Sequence, residues 1–341
     1  MEATLDALIE EAWRQHQRDP LQLLPAGQRI VAVAEAAQDP VGAAWGWLHQ
    51  AWGQRFRGNR EAAQAALSRA EAAFVPLQHA RGLASCRDLQ AMVLGMEGRL
   101  GEAAALLAMN DTRPDGERSA WERVCTHQRQ SWLHGQLGQR DASLKERYSQ
   151  WAAAQETGDA ATVAHAMAAL GGEHADLFNL EEAERLCRAA MALADEGGAP
   201  HAWCMAALNG MNSLVAQNRG AEAVPWVERL LALEPTQNWR AREHRLIVYA
   251  DALAQGGDVD RAQALLDESR AARGEGGGHT LSWITAQCVV WATQGQWLPL
   301  RQMAQAWLHE PQYGSGPARV PTEELRLVRL AGRACEALGE L

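Results

Sequence analysis

Residues 242–273 read REHRLIVYADALAQ-GGD-VDRAQALLDESRAAR, and this stretch decides the fold. Leu246, Tyr249, Ala250 and Leu253 recur at the spacing of one helix face, and Ala262, Leu265, Leu266 and Ser269 do the same beyond the break. Between the two runs Gly256-Gly257-Asp258 makes a turn. Glycine there permits the left-handed backbone that ends a first helix. Asp258 offers a carboxylate to the free N–H groups that open a second. The small Ala262 lets the paired helices approach, where a bulky residue would hold them apart.

Outward from this unit, turn residues recur at Gly58, Gly98, Gly138, Phe178, Asn218, Gly257, Gly295 and Gly339, with spacings of 40, 40, 40, 40, 39, 38 and 44 residues. Five positions after most of them comes a small residue: Ala63, Ala103, Ser143, Ala183, Ala223 and Ala262, with Leu300 departing from the rule. A fixed period in this range means stacked helix-turn-helix units, since no single unit buries its apolar face alone. The expectation is an all-α solenoid of about eight helix pairs plus one extra C-terminal helix. One continuous array is expected over 1–341, with units near 1–40, 41–80, 81–120, 121–160, 161–200, 201–240, 241–278 and 279–312, and a partial unit at 322–341.

Unit one is degenerate. Leu5, Leu8, Ile9 and Ala12 form its stripe, Arg18 sits at the expected turn, Asp19-Pro20 breaks the chain, and 21–38 makes the second helix. Loops are expected at 110–118, 196–200, 235–240, 273–280 and 309–322. The final helix, with Leu327, Val328 and Leu330, lacks the polar face of a terminal cap, so a longer chain is expected.

The pattern resembles the tetratricopeptide repeat. Leu170-Gly171 matches its first helix, Gly257-Asp258-Val259-Asp260-Arg261-Ala262 its turn, and Leu230-Leu231-Ala232-Leu233-Glu234-Pro235 its close, while Gly295-Gln296-Trp297 sets an aromatic where the family has Tyr. The repeat departs from the family's 34 residues. HEAT and armadillo units have the longer period but no reason to keep Gly and a small residue five apart at the turn. Long-helix tetratricopeptide variants do, and the resemblance implies a right-handed superhelix similar to N-terminal sensory arms of bacterial signalling proteins. Such arms often precede a diguanylate cyclase.

Composition narrows the function. The net charge of −10 argues against a general nucleic-acid binder, which needs a basic field. The basic stretch of Arg319, Arg326, Arg329 and Arg333 is interleaved with Glu323, Glu324, Glu336 and Glu340, and reads as a solvated mixed-charge helix. The 6 cysteines show no metal-ligand spacing. No signal peptide opens the chain and no apolar run is long enough to span a bilayer, so a cytoplasmic location without membrane insertion is expected. The glycines at 274–278 lack the lysine and preceding strand of a phosphate loop. Glu173, His174 and Asp176 point in different directions at helical spacing, so no catalysis, cofactor or metal is expected.

The groove carries the expected function. The resemblance places first-helix positions on a concave binding surface. The register gives Trp45, His49, Trp52 and Arg55, then Asp88 and Met92, then Gln128, Arg129 and Trp132, then His165, then Asn209 and Asn212, then His244 and Asp251. Of these, Trp52, Arg55, Arg129, Trp132, Asn209, Asn212 and Asp251 are the candidate ligand contacts. The asparagines resemble the peptide-clamping residues of the family, because one carboxamide can hold both the N–H and C=O of an extended backbone. The lysines of the usual clamp are missing: Lys145 is the sole lysine. The expected role is a non-catalytic binding or sensory module for a protein, peptide or small ligand that regulates an attached output domain. The alternative is a stand-alone scaffold or peptide receptor.

Overall fold

The computed structural model describes residues 4–110, 119–237, 242–273, 280–309 and 321–340. Among these, every regular element is helical. The order is α1 (Leu5–Arg18), α2 (Leu23–Ala36), α3 (Pro40–Phe56), α4 (Arg60–Phe74), α5 (Ala80–Met96) and α6 (Leu100–Ala108). It continues with α7 (Ala120–Gln136), α8 (Arg140–Glu156), α9 (Ala160–Asp176), α10 (Leu180–Glu196), α11 (Pro200–Ala216) and α12 (Val224–Gln237). The last are α13 (Arg242–Gln255), α14 (Val259–Arg273), α15 (Leu281–Thr293), α16 (Trp297–His309) and α17 (Pro321–Ala337), with short 3-10 turns at Pro20–Gln22 and Gly220–Ala223.

The period is built into the helices themselves. The first helices α3, α5, α7, α9 and α11 start at residues 40, 80, 120, 160 and 200, and each is 17 residues long. All the turn residues from Gly58 to Gly339 adopt positive φ, between 57° at Asn218 and 90° at Gly257. The backbone there donates twice into the preceding helix: Gly58 N–H to Arg55 C=O at 3.1 Å and Asn59 N–H to Gln54 C=O at 3.0 Å, which satisfies carbonyls the helix end leaves free. Phe178 takes the same conformation, φ 61°, without glycine's freedom.

Among the described residues a second family of left-handed residues closes units one, two, four and five, at Gln38, Gln78, Gly158 and Gly198. The next residue often caps the following helix. Asp39 accepts from Val41 N–H and Gly42 N–H, and Asp159 from Thr162 N–H. These turns repeat at 40 residues too, but glutamine is no turn signal, so half of them escape a reading of composition.

The small turn residues behave as their size requires: Ala63, Ala103, Ser143, Ala183, Ala223 and Ala262 are buried, and so is Leu300. At Leu170-Gly171 the reason is visible in the backbone. A Cβ on Gly171 would stand 2.6 Å from Cys187 Sγ and 3.2 Å from the Ala183 carbonyl. Two elements differ from expectation. Helix α13 is buried on every side from Arg245 to Ala254, not on one inner face. Helix α12 continues through Pro235 to Gln237, where a loop was expected to begin. The other long loops, 110–118, 273–280 and 309–322, lie largely outside the described residues.

The helices gather into two compact units. The first comprises Met1–Met167, Ala190–Trp203 and Gln237–Arg240; the second Ala168–Ala189, Cys204–Thr236 and Ala241–Leu341. In the first unit α2 and α3 meet backbone to backbone, since a Cβ on Gly27 would lie 2.6 Å from Gly46 C=O. Its core joins Trp45, Leu48, Trp52, Leu67, Phe74, Leu89 and Cys125, and Trp13 of α1 belongs to the same cluster. No described helix is long and apolar enough to cross a membrane.

Candidate binding site on the first-helix faces

In the first unit the inner positions of α3, α5 and α7 meet α1. Helix α1 is amphipathic and buries Ala12, Trp13, His16 and Gln17 on one face. The Trp13 ring packs edge-on against His49 at 4.9 Å and Trp45 at 5.9 Å. It also borders Asp88 of α5 and Cys125 and Arg129 of α7. His16 sits edge-on to Trp52 at 5.3 Å. At the helix end Gln17 Nε2 donates to Gln128 Oε1 at 3.3 Å, and the Arg18 guanidinium pairs with Asp159 at 2.6 Å. Helix α1 therefore runs along the first-helix face of successive repeats, from α3 to the cap of α9.

Charge in this region is locally matched. Arg129 pairs with Asp88, both buried, and lies over the Trp52 ring at 4.7 Å. Asp88 accepts a second bond from Asn110 Nδ2 at 2.8 Å, which also donates to Ala84 C=O. The histidines are neutral. Burial, then His49, Arg129 and Arg55, hold His16 well below the ordinary histidine value, and burial takes His49 down to about 3. Among the described residues, Trp13 Nε1, His16 Nε2, Gln17 Oε1, Trp52 Nε1 and both His49 nitrogens are buried without a hydrogen-bond partner.

The candidate contacts divide between the two units. Trp52 is buried beneath α1. Arg55 lies over Trp52 and Phe56, at 5.3 Å from each ring, and borders a cavity of about 280 Å³ with Leu67, Leu89, Val93 and Met96. Arg129 is locked to Asp88, and Trp132 packs against Gly95 of α5. In the second unit Asn209 Nδ2 donates to Ala168 C=O at 2.8 Å, which ties α11 to α9. Asn212 and Asp251 line a cavity of about 160 Å³ together with His244, Ser282, Glu323 and apolar Leu180, Ile247 and Val248.

Asp251 is also the buried partner of Arg326, at 2.6 Å, and accepts from Gln255 Nε2 at 2.9 Å. Burial, reinforced by Asp251 and opposed by Arg326, pushes the Glu323 carboxyl up. This corrects one expectation: Arg326 is buried in an ion-pair set, not spread on a solvated helix. The groove register does not include Trp13, His16 and Gln17, because unit one is degenerate and its first helix carries no expected groove positions; Arg18 enters only as the expected turn. The signal was there in Asp19-Pro20, which replaces the usual turn. Elsewhere His165 stacks on His201 at 5.6 Å and His174 meets Asn179 at 3.1 Å. Among the described residues no group of three or more His, Cys, Asp and Glu is placed to hold a metal.

Paired helices repeated at 40 residues, with inner faces that hold side chains of another segment, define a helical-repeat protein of the tetratricopeptide-like kind. Its fold is similar to that of a Rap protein complexed with competence and sporulation factor, at TM-score 0.62 and 10% identity, over 98% of this chain and 99% of that one. It is also similar to the apo form of RapI, at TM-score 0.55 and 11% identity over 98% of each chain. At such identities the likeness speaks to the fold alone. No family model and no curated protein matches the sequence.

Proposed function

We propose that the chain is a non-catalytic binding module that takes a protein or peptide partner on its first-helix faces. The observation that carries this is α1 itself, which the first unit holds by an aromatic cluster, a side-chain amide pair and an ion pair. The fold likeness supports it, since one similar Rap chain is seen holding a factor on the same kind of scaffold. The open cavity around Asn212 and Asp251 adds amide and carboxylate groups of the kind that orient a bound chain. Binding is read as coupled to an output domain, a diguanylate cyclase being the example that the long-helix repeats suggest. A stand-alone scaffold or peptide receptor is the second reading.

A random-peptide display library panned against the full chain tests the binding reading. It is expected to enrich peptides whose affinity falls about tenfold or more in the Asn212→Ala variant, with little change in melting temperature. Failure to enrich any peptide, or binders indifferent to these faces, contradicts it.

A further inference from the structure

Helix α1 is joined to the array unlike any paired helix. The other paired first helices end in a left-handed turn, and all but α15 clamp their partner through a small residue five positions on. Helix α1 ends instead at Asp19, with φ −152° and ψ 89°, and a 3-10 turn opens at Pro20. Its buried face is also poorly satisfied. Trp13 Nε1, His16 Nε2 and Gln17 Oε1 on α1, facing His49 and Trp52 Nε1 on α3, are polar atoms with no partner among the described residues, although His49 is fully buried and Gln17 is 2% exposed. Directly beside them the Asp88, Arg129 and Asn110 set, which joins α5 to α7, is bonded throughout. A buried polar group without a partner destabilises the packing that covers it. The groove wall is thus complete in itself, while the seat between α1 and α3 is not.

We propose that α1 is an intramolecular ligand, and that the partner of this groove is an external amphipathic helix carrying the same pattern, which takes its place. The pattern is an aromatic residue, polar side chains three and four positions later, and a cation at the fifth, as in Trp13, His16, Gln17 and Arg18. The aromatic fills the space between His49, Trp45 and Arg129, and the cation meets Asp159, which is nearly buried while Arg18 is half exposed. Specificity follows from the carboxylate: a helix with an acidic residue at the fifth position is repelled there. A partner side chain that donates to His49 or accepts from the Trp52 N–H improves on α1 itself. This inference rests on the reading of the chain as a binding module and names the partner of one of its faces.

The probe is a fluorescein-labelled peptide of residues 4–19, added to the full-length chain, to Arg18→Glu, and to Arg18→Glu/Asp159→Asn. In Arg18→Glu the chain's own helix meets Asp159 with like charge, so the labelled peptide is expected to bind about tenfold tighter than to the parent chain. Asparagine keeps the helix cap at 159 but not the charge. The double variant is therefore expected to lose its preference for the Arg18 peptide over the same peptide with Glu at that position. A Trp13→Ala peptide is expected not to bind. Equal binding to the parent chain and Arg18→Glu, or equal binding of the Trp13→Ala peptide, overturns the proposal. So does a circular-dichroism melt showing that Arg18→Glu unfolds, because α1 is then a core element. Display-selected peptides that bind through Asn212 while the 4–19 peptide fails would leave the broader reading standing and this one refuted.

Discussion

Arg129 shows how a residue suited to a ligand groove can also be structural. Its guanidinium neutralises Asp88 and covers the Trp52 ring, with both charged side chains buried. Arg129→Ala leaves the Asp88 carboxylate buried and unpaired, and is expected to cost about 3–5 kcal/mol in denaturant unfolding. The Arg129→Met/Asp88→Leu double variant should recover most of that; a single variant as stable as the parent refutes the pairing. The buried histidines predict a pH profile. Burial depresses His49 and His165 to about 3 and His201 to about 4, and His16 is also lowered well below its ordinary value. The unfolded chain therefore binds more protons than the folded one as soon as the pH drops below the ordinary histidine value. The stability of their neutral folded state is present above about pH 6.5 and is lost as pH falls toward 4 for His201 and toward 3 for His49 and His165, at about 1.4 kcal/mol per histidine per pH unit. A melting temperature that is flat from pH 7 to about pH 5 contradicts this sign. His49→Leu, which removes two unpartnered nitrogens, should flatten the profile without lowering the melting temperature near neutrality.

Among the elements, the helix pair is the unit of stability and the turn its register mark. Ala183→Trp and Ala262→Trp force bulk between paired helices and are expected to cost about 1–3 kcal/mol or more. Ala264→Trp, two residues on but exposed on α14, is the control and should cost little. Equivalent melts for the two classes would refute the pairing. At Phe178, φ 61° imposes left-handed strain on an exposed aromatic, so Phe178→Gly is expected to stabilise by about 1 kcal/mol. Most of this level was legible in the sequence, because Gly, Asn and small residues are confined by backbone and steric limits and so mark the period. The return turns at Gln38 and Gln78 were not, since glutamine reaches positive φ only where the flanking helices impose it. Site residues were harder for a related reason. A first-helix register says which side chains point inward, but not which of them another segment already covers. Trp52 and Arg129 face inward and are covered by α1; Asp251 faces inward and is held by Arg326, from a helix 75 residues away.

At the scale of the whole molecule, a repeat array offers inner faces in series, and this chain uses them in two ways. One face is filled by α1 through stacking and a terminal ion pair. Another is a cavity lined by Asn212, His244 and Asp251. Both belong to a scaffold whose stability resides in its helix pairs, so a partner can be exchanged without unfolding the rest. Central to this is that α1 is held as a ligand is held, not as a core helix. Native-state hydrogen exchange on the full-length chain near neutral pH measures that difference directly, helix by helix. The expected result is that α1 amides open with a lower free energy than those of α3, and that Arg18→Glu lowers the α1 value while leaving α3, α5 and α7 unchanged. Exchange of α1 and α3 as one cooperative unit, in both the parent chain and Arg18→Glu, would contradict it.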